Sequence, residues 1–148
     1  FTLIEVVLVL AIGGLIFLLA FLAYQQVATN RRDTQRRNDA GRILAELQNA
    51  KGDNSAPTTQ TLLTGGTTAS ATGTGTSFVN TYFGGSMAGP QGNYTWNYLT
   101  ASGPSTLSAN NVYIGRGTCN GSAALTHDAN GGYVVIMNLE KASVCRQE

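Results

Sequence analysis

The sequence predicts an α+β fold: a long N-terminal α-helix packed on a small antiparallel β-sheet head with a C-terminal disulfide loop. Three observations carry that expectation. Residues 6–30 bear no charge and open with the apolar run VVLVLAIGGLIFLLAFLA. Farther on, Ala40, Ile43, Leu44, Leu47 and Ala50 fall at the i, i+3, i+4, i+7 spacing of a helix with one buried face. The remainder turns into short β-rich segments separated by Gly, Asn and Pro, and holds two cysteines, Cys119 and Cys145.

Residues 2–51 read as one continuous helix, because no Pro interrupts them. A helix of about 50 residues is roughly 75 Å long at 1.5 Å per residue. Its first part, residues 1–30, is apolar all round over residues 6–23, which suits a membrane or a multi-helix core. About 20 apolar residues cross a bilayer, so this segment is expected to span one. It does not read as a secretory signal peptide: it lacks a basic n-region, is too long for an h-region and shows no small-residue cleavage site. Gly13 and Gly14 are its weakest point, loosening the helix or admitting a close neighbour. Residues 31–53 form the amphipathic continuation, with end signals at Lys51-Gly52-Asp53-Asn54 and Pro57 beyond.

Residues 54–148 form the expected globular head. It begins with a Thr/Gly/Ser-rich loop at 54–77, low in complexity over 65–77. Strand-like segments follow at 78–83, 94–99, 112–114 and 133–138, separated by Gly84-Gly85, Gly103-Pro104 and Asn130-Gly131-Gly132. Tyr94, Trp96 and Tyr98 alternate, so one strand face carries all three as sheet core. Two cysteines and no CxxC or Cys/His cluster point to one structural bridge made in an oxidising compartment. Closing that loop stabilises the head by roughly 3–4 kcal/mol on the chain-entropy model.

Glu5 stands at the mouth of the apolar run. A carboxylate near mid-bilayer costs at least about 2.5 kcal/mol, so it needs a partner. The chain does not begin with Met, and Phe1 is expected to carry a free amine left by a processing cut. In stacked subunits the Phe1 amine of one copy meets Glu5 of the next, which lowers the burial cost only in the assembly and so fixes register.

Charge elsewhere is uneven. The formal net charge is +1, which by itself predicts neither nucleic acid nor acidic substrates. Five arginines lie within 31–42, whereas the 62 residues 54–115 carry no charge and offer trypsin-like proteases nothing to cut. At about 100° per residue the arginines spread around the helix instead of forming a stripe. Asp33, Asp39 and Glu46 lie within helical reach of them. Arg31, Arg32, Asp33, Arg36 and Arg37 are therefore assigned to headgroup contacts or intersubunit charge pairs, with DNA binding the lesser reading.

Catalytic signals are weak. His127 is the only histidine and adjoins Asp128, and no G-x-S-x-G elbow or P-loop occurs. Gly115-Arg-Gly-Thr-Cys-Asn fails the dinucleotide fingerprint at its last position. Asp128-Ala-Asn130-Gly131 lacks the closing Glu of a calcium loop and reads as a turn. The sequons Asn93-Tyr-Thr95 and Asn120-Gly-Ser122 are short enough to recur by chance. The expectation is a structural protein without enzymatic activity, metal or cofactor.

The opening Phe1-Thr2-Leu3-Ile4-Glu5, followed by an unbroken apolar helix and then a polar one, resembles type IV pilins and their pseudopilin relatives. The resemblance is specific over residues 1–30, looser to residue 50 and architectural beyond. It implies that a prepilin peptidase cuts before Phe1 and N-methylates it, and that Glu5 neutralises the N-terminal charge of a neighbouring subunit. It further implies an inner-membrane assembly platform with its ATPases, and a homopolymer whose core is the N-terminal helices. The function so implied is that of a major pilus subunit for adhesion, twitching motility or DNA uptake. The alternative is a pseudopilin of a type II secretion or competence system, or a minor pilin. Many pilins carry Pro near the end of the apolar stretch where this chain has Leu22, so any helix melting is expected only at Gly13-Gly14. The basic residues after the span would place the head in the cytoplasm by the positive-inside rule. The resemblance and the cysteines place it outside, on a single-pass cytoplasmic-membrane precursor and then on a surface pilus, with a basic leader setting the orientation.

Overall fold

Helix α1 runs from Leu3 to Gly52, through Gly13 and Gly14 without a break. The computed structural model describes residues 1–52, 68–69, 78–99, 101–103 and 106–148. Most of the Thr/Gly/Ser-rich loop expected at 54–77 lies outside the described residues; strand β1 (Thr68–Ala69) is the part within them. The chain divides into two compact units, Phe1–Arg32 and Asp33–Glu148.

The first unit is the apolar part of α1. It is long and apolar enough to cross a membrane. Its start is set by Thr2, whose carbonyl oxygen accepts the backbone N–H groups of Glu5 (3.2 Å) and Val6 (3.4 Å).

The second unit packs the distal part of α1 on a mixed β-sheet. After β1 come a short helix α2 (Phe78–Phe83), the β2 (Ala88–Gly89) and β3 (Gly92–Asn93) hairpin, and strands β4 (Thr95–Leu99) and β5 (Asn111–Asn120). Strands β6 (Ala124–His127), β7 (Tyr133–Asn138) and β8 (Ser143–Gln147) complete it. The main sheet has the order β1-β4-β5-β7-β8, with β6 added to the far end of β5.

Two expectations are corrected here. Residues 78–83 form a helix, not a strand: FVNTYF is rich in β-formers, but Phe78, Val79, Tyr82 and Phe83 share one helical face. Phe78 lies 5.2 Å from Tyr82 and Phe83 lies 5.3 Å from Trp96, centroid to centroid. Gly84 and Gly85, at φ of +66° and +95°, end this helix. The sheet, moreover, is not wholly antiparallel. β4 and β5 run parallel, in register from Thr95 against Asn111 to Leu99 against Gly115. Residues 100–110 connect them, close to the dozen residues a parallel crossover needs. That connection is fastened to β6: Gly103 N–H donates to the Leu125 carbonyl (3.1 Å), and Leu125 N–H to the Gly103 carbonyl (2.7 Å).

Alternation along the strands builds two cores. Val112, Ile114, Val135 and Met137 face α1 and meet Ala40, Ile43, Leu47 and Ala50 together with Trp96, Phe78 and Val79. Tyr94, Trp96 and Tyr98 all join this cluster. The opposite face carries Tyr113, Leu125, Val134 and Ile136, covered by Leu99 and Leu107. β7 is buried on both faces, which is why YVVIMN reads as a continuous apolar run.

The last turn of α1 is tied to the end of the sheet by charge. Lys51 Nζ donates to Glu148 Oε1 at 2.8 Å, and Tyr133 N–H donates to Glu148 Oε2 at 3.1 Å. The Lys51 hydrogen bond, followed by the Tyr133 amide, holds the Glu148 carboxyl below its usual range. A carboxyl depressed in the folded state stabilises the fold above its unfolded pKa and loses that contribution as pH falls through the folded value. Glu148→Gln is expected to lower stability at neutral pH by up to about 1 kcal/mol, screening at the half-exposed Lys51 limiting the effect. The difference from wild type should vanish in acid, below both pKa values. Thermal melts at neutral and acid pH check this; a deficit undiminished in acid would assign the loss to packing instead of charge.

Candidate functional site

In the first unit every large apolar side chain between Phe1 and Val27 is exposed, from Val6 and Val27 at 48% upward. Soluble monomers rarely show an apolar patch larger than a few hundred Å². A surface of this kind is suited to contact with lipid or with other protein. Glu5 is the carboxylate set into it. Its Oε2 accepts the backbone N–H of Thr2 at 2.8 Å. Glu5 thus makes the N3 half of a capping box, its acidic side chain reaching back to the amide of Thr2 at the N-cap position. The T-x-x-E spacing carries this signal in the sequence, and it adds a local duty to Glu5. An ionised carboxylate offers about four lone-pair sites, so one amide leaves room for an ammonium group. Phe1, Glu5, Val6, Val9 and Leu10 line a shallow groove on this side of the helix.

The arginine-rich segment divides. Arg31 and Arg37 are exposed and Arg32 is partly covered. Arg36 is 2% exposed and Asp33 8%, both buried in the second unit. Of the residues expected to make headgroup contacts or intersubunit charge pairs, these two are taken up inside the second unit. Arg36 Nη2 donates to Gln91 Oε1 at 2.7 Å, and Gln91 Nε2 donates to Glu140 Oε1 at 3.2 Å. The backbone N–H of Glu140 donates to Asp33 Oδ1 at 2.8 Å. One turn on, Tyr94 Oη donates to Asp39 Oδ2 at 2.6 Å. Burial, and then the Asp39 carboxylate, push the Tyr94 phenol far above its usual range, so it stays protonated and donating. The result is a polar seam between the helix and the rim of the sheet. Arg42 turns elsewhere and lies over the Phe83 ring, 5.4 Å from its centroid.

Cys119 and Cys145 are disulfide-bonded and join β5 to β8, with Cα atoms 5.9 Å apart. His127 donates its backbone N–H to Ser102 Oγ at 3.0 Å. Asp128 accepts the Asn130 N–H on its side chain and the Gly131 N–H on its backbone, both at 3.0 Å, forming a tight turn. Among the described residues no three His, Cys, Asp or Glu side chains come together as metal ligands. Comparison with protein-family models, curated proteins and solved structures finds no match to this chain.

Proposed function

We propose that this chain is a structural subunit of a type IV pilus, polymerising through residues 1–30 into a surface filament. The observation that carries the reading is the exposed apolar surface of residues 1–27, entered by Phe-Thr-Leu-Ile-Glu, with the carboxylate of Glu5 set into it. In this reading a membrane houses the segment before assembly and neighbouring copies surround it afterwards. The disulfide-closed head then faces outward. The Phe1 amine of one subunit pairs with Glu5 of another, a prepilin peptidase prepares the N-terminus, and an inner-membrane platform with its ATPases drives polymerisation. Adhesion, motility and DNA uptake are the tasks such a fibre serves.

Electron microscopy of the sheared surface fraction, from cells with and without this chain, tests the proposal. The expected result is long fibres whose main protein is a chain beginning at N-methylated Phe1. Fibres that persist without it, while the chain stays in the membrane fraction, would assign it to a secretion or competence pseudopilus or to a minor subunit. A chain that remains monomeric once detergent is removed would make it a membrane-anchored binding module.

A further inference from the structure

Two Asn–Gly dipeptides occur in the chain, Asn120-Gly121 and Asn130-Gly131, and the fold treats them differently. Asn–Gly is the pair most open to attack by a backbone amide on the preceding side chain, because glycine has no Cβ to hinder the approach. At Asn130-Gly131 that route is closed. The Gly131 N–H is held by the Asp128 carbonyl at 3.0 Å, and the Asn130 N–H by Asp128 Oδ1 at 3.0 Å. Gly131 also packs against Gly117, where an added Cβ would come within 2.8 Å of the Gly117 Cα.

At Asn120-Gly121 the surroundings are the opposite. Both residues are exposed in the turn between β5 and β6, and a Cβ at Gly121 would meet nothing within 4 Å. The Gly121 N–H makes no hydrogen bond among the described residues. The turn is nevertheless anchored on each side. Cys119 N–H donates to Gln147 Oε1 at 2.8 Å, the Cys119–Cys145 disulfide ties the same point to β8, and Ser122 Oγ lies 3.1 Å from Ser143 Oγ. An open, exposed turn is thus presented on fixed supports.

We infer that Asn120 is a site of spontaneous succinimide formation and deamidation, which adds one carboxylate to the head beside its disulfide. The Gly121 backbone nitrogen attacks Cγ of Asn120 and a C–N bond forms. The bond to the side-chain nitrogen breaks, and ammonia leaves with the proton from the Gly121 amide. Water then opens the cyclic imide at either carbonyl, giving aspartate or isoaspartate, with no change in oxidation state. The product lowers the formal net charge from +1 to zero and, in the isoaspartate form, lengthens the main chain next to Cys119. The inference does not depend on the filament reading.

The test is a time course on the purified full chain in detergent at mildly alkaline pH. Reduction and trypsin release peptide 117–141, which holds both sites, so fragment spectra must assign the change. Conversion at Asn120 is expected to run at least several-fold ahead of Asn130 in the folded chain, and at similar rates in the denatured chain. The acidic drift on isoelectric focusing should be lost in Asn120→Ser, a substitution at an exposed position. Equal conversion at both sites in the folded chain, or undiminished drift in Asn120→Ser, would each overturn the inference.

Discussion

Glu5→Ala and Glu5→Gln are both expected to abolish surface fibres while the protein still accumulates in the membrane fraction. The pair separates the two duties of this carboxylate. In the single chain Glu5 Oε2 accepts the Thr2 N–H at 2.8 Å, half of a capping box. Gln serves at that position as well as Glu, so Glu5→Gln keeps the cap and removes only the charge. Losing the cap altogether costs about 0.5–2 kcal/mol and acts on the helix end alone. In the proposed filament, leaving the Phe1 ammonium of a neighbour buried without a partner would cost about 3–5 kcal/mol for each such contact. At about 1.4 kcal/mol per tenfold, that weakens each subunit contact by more than about a hundredfold, and a filament multiplies the defect along its length. Electron microscopy of sheared fibres, with an immunoblot of the membrane fraction, reads both quantities. Normal fibres from Glu5→Gln would leave the cap as the whole role of Glu5 and remove charge neutralisation from the mechanism.

How far the sequence discloses this molecule follows from where its signals are local. The helix was legible because period and absence of Pro are local properties, and the stripe Ala40, Ile43, Leu47, Ala50 is the face that the sheet covers. The same stripe continues backward at alternating steps of four and three to Arg36 and Asp33, both buried. Charge type points these two outward, to headgroups or intersubunit pairs, whereas stripe position points them inward. Their burial depends on Gln91 and Glu140, distant in sequence and brought to the rim by the sheet. Strand direction was likewise beyond local reading. β4 and β5 are parallel, and the link between them pairs at Gly103 with β6, a strand whose four residues carry no clear alternation. FVNTYF misled for a related reason, since β-forming side chains on one helical face serve an aromatic cluster around Trp96 equally well. For the assembly site, the sequence displayed Phe1 and Glu5 and also the T-x-x-E cap. That cap signal is as local as the others, carried by Thr2 three residues before Glu5.

Gly117→Ala is expected to be the most damaging single-methyl change in the head. Strand β5 changes partner at this residue, pairing with β7 through Arg116 and with β6 from Gly117 onward. The switch requires φ of +141° at Gly117, a conformation side chains rarely adopt. The Gly117 N–H donates to the Gly132 carbonyl at 2.9 Å, and Asp128 N–H donates to the Arg116 carbonyl at 3.0 Å. A Cβ at 117 would run into the Thr126 carbonyl oxygen and come within 2.9 Å of the Asp128 nitrogen, both main-chain atoms that no rotamer change can move aside. Backbone strain of about 1–3 kcal/mol adds to the loss of hydrogen bonds at about 1 kcal/mol each. The sum, about 3–5 kcal/mol, is a large part of the 5–15 kcal/mol typical of a whole domain. A fall of about 10 °C or more in melting temperature follows for a head of this size. Trp96 is the only tryptophan and fully buried among the sheet, α2 and the distal part of α1, so its fluorescence reports the packing of the head. Gly41→Ala is the matched control. Gly41 lies on the exposed face of α1 with open space around it, and there the same methyl should stabilise by about 0.5–1 kcal/mol. Opposite signs from one chemical change would place the demand on the β5 crossing point. A Gly117→Ala melt as mild as that of Gly41→Ala would show that the head tolerates another path for β5.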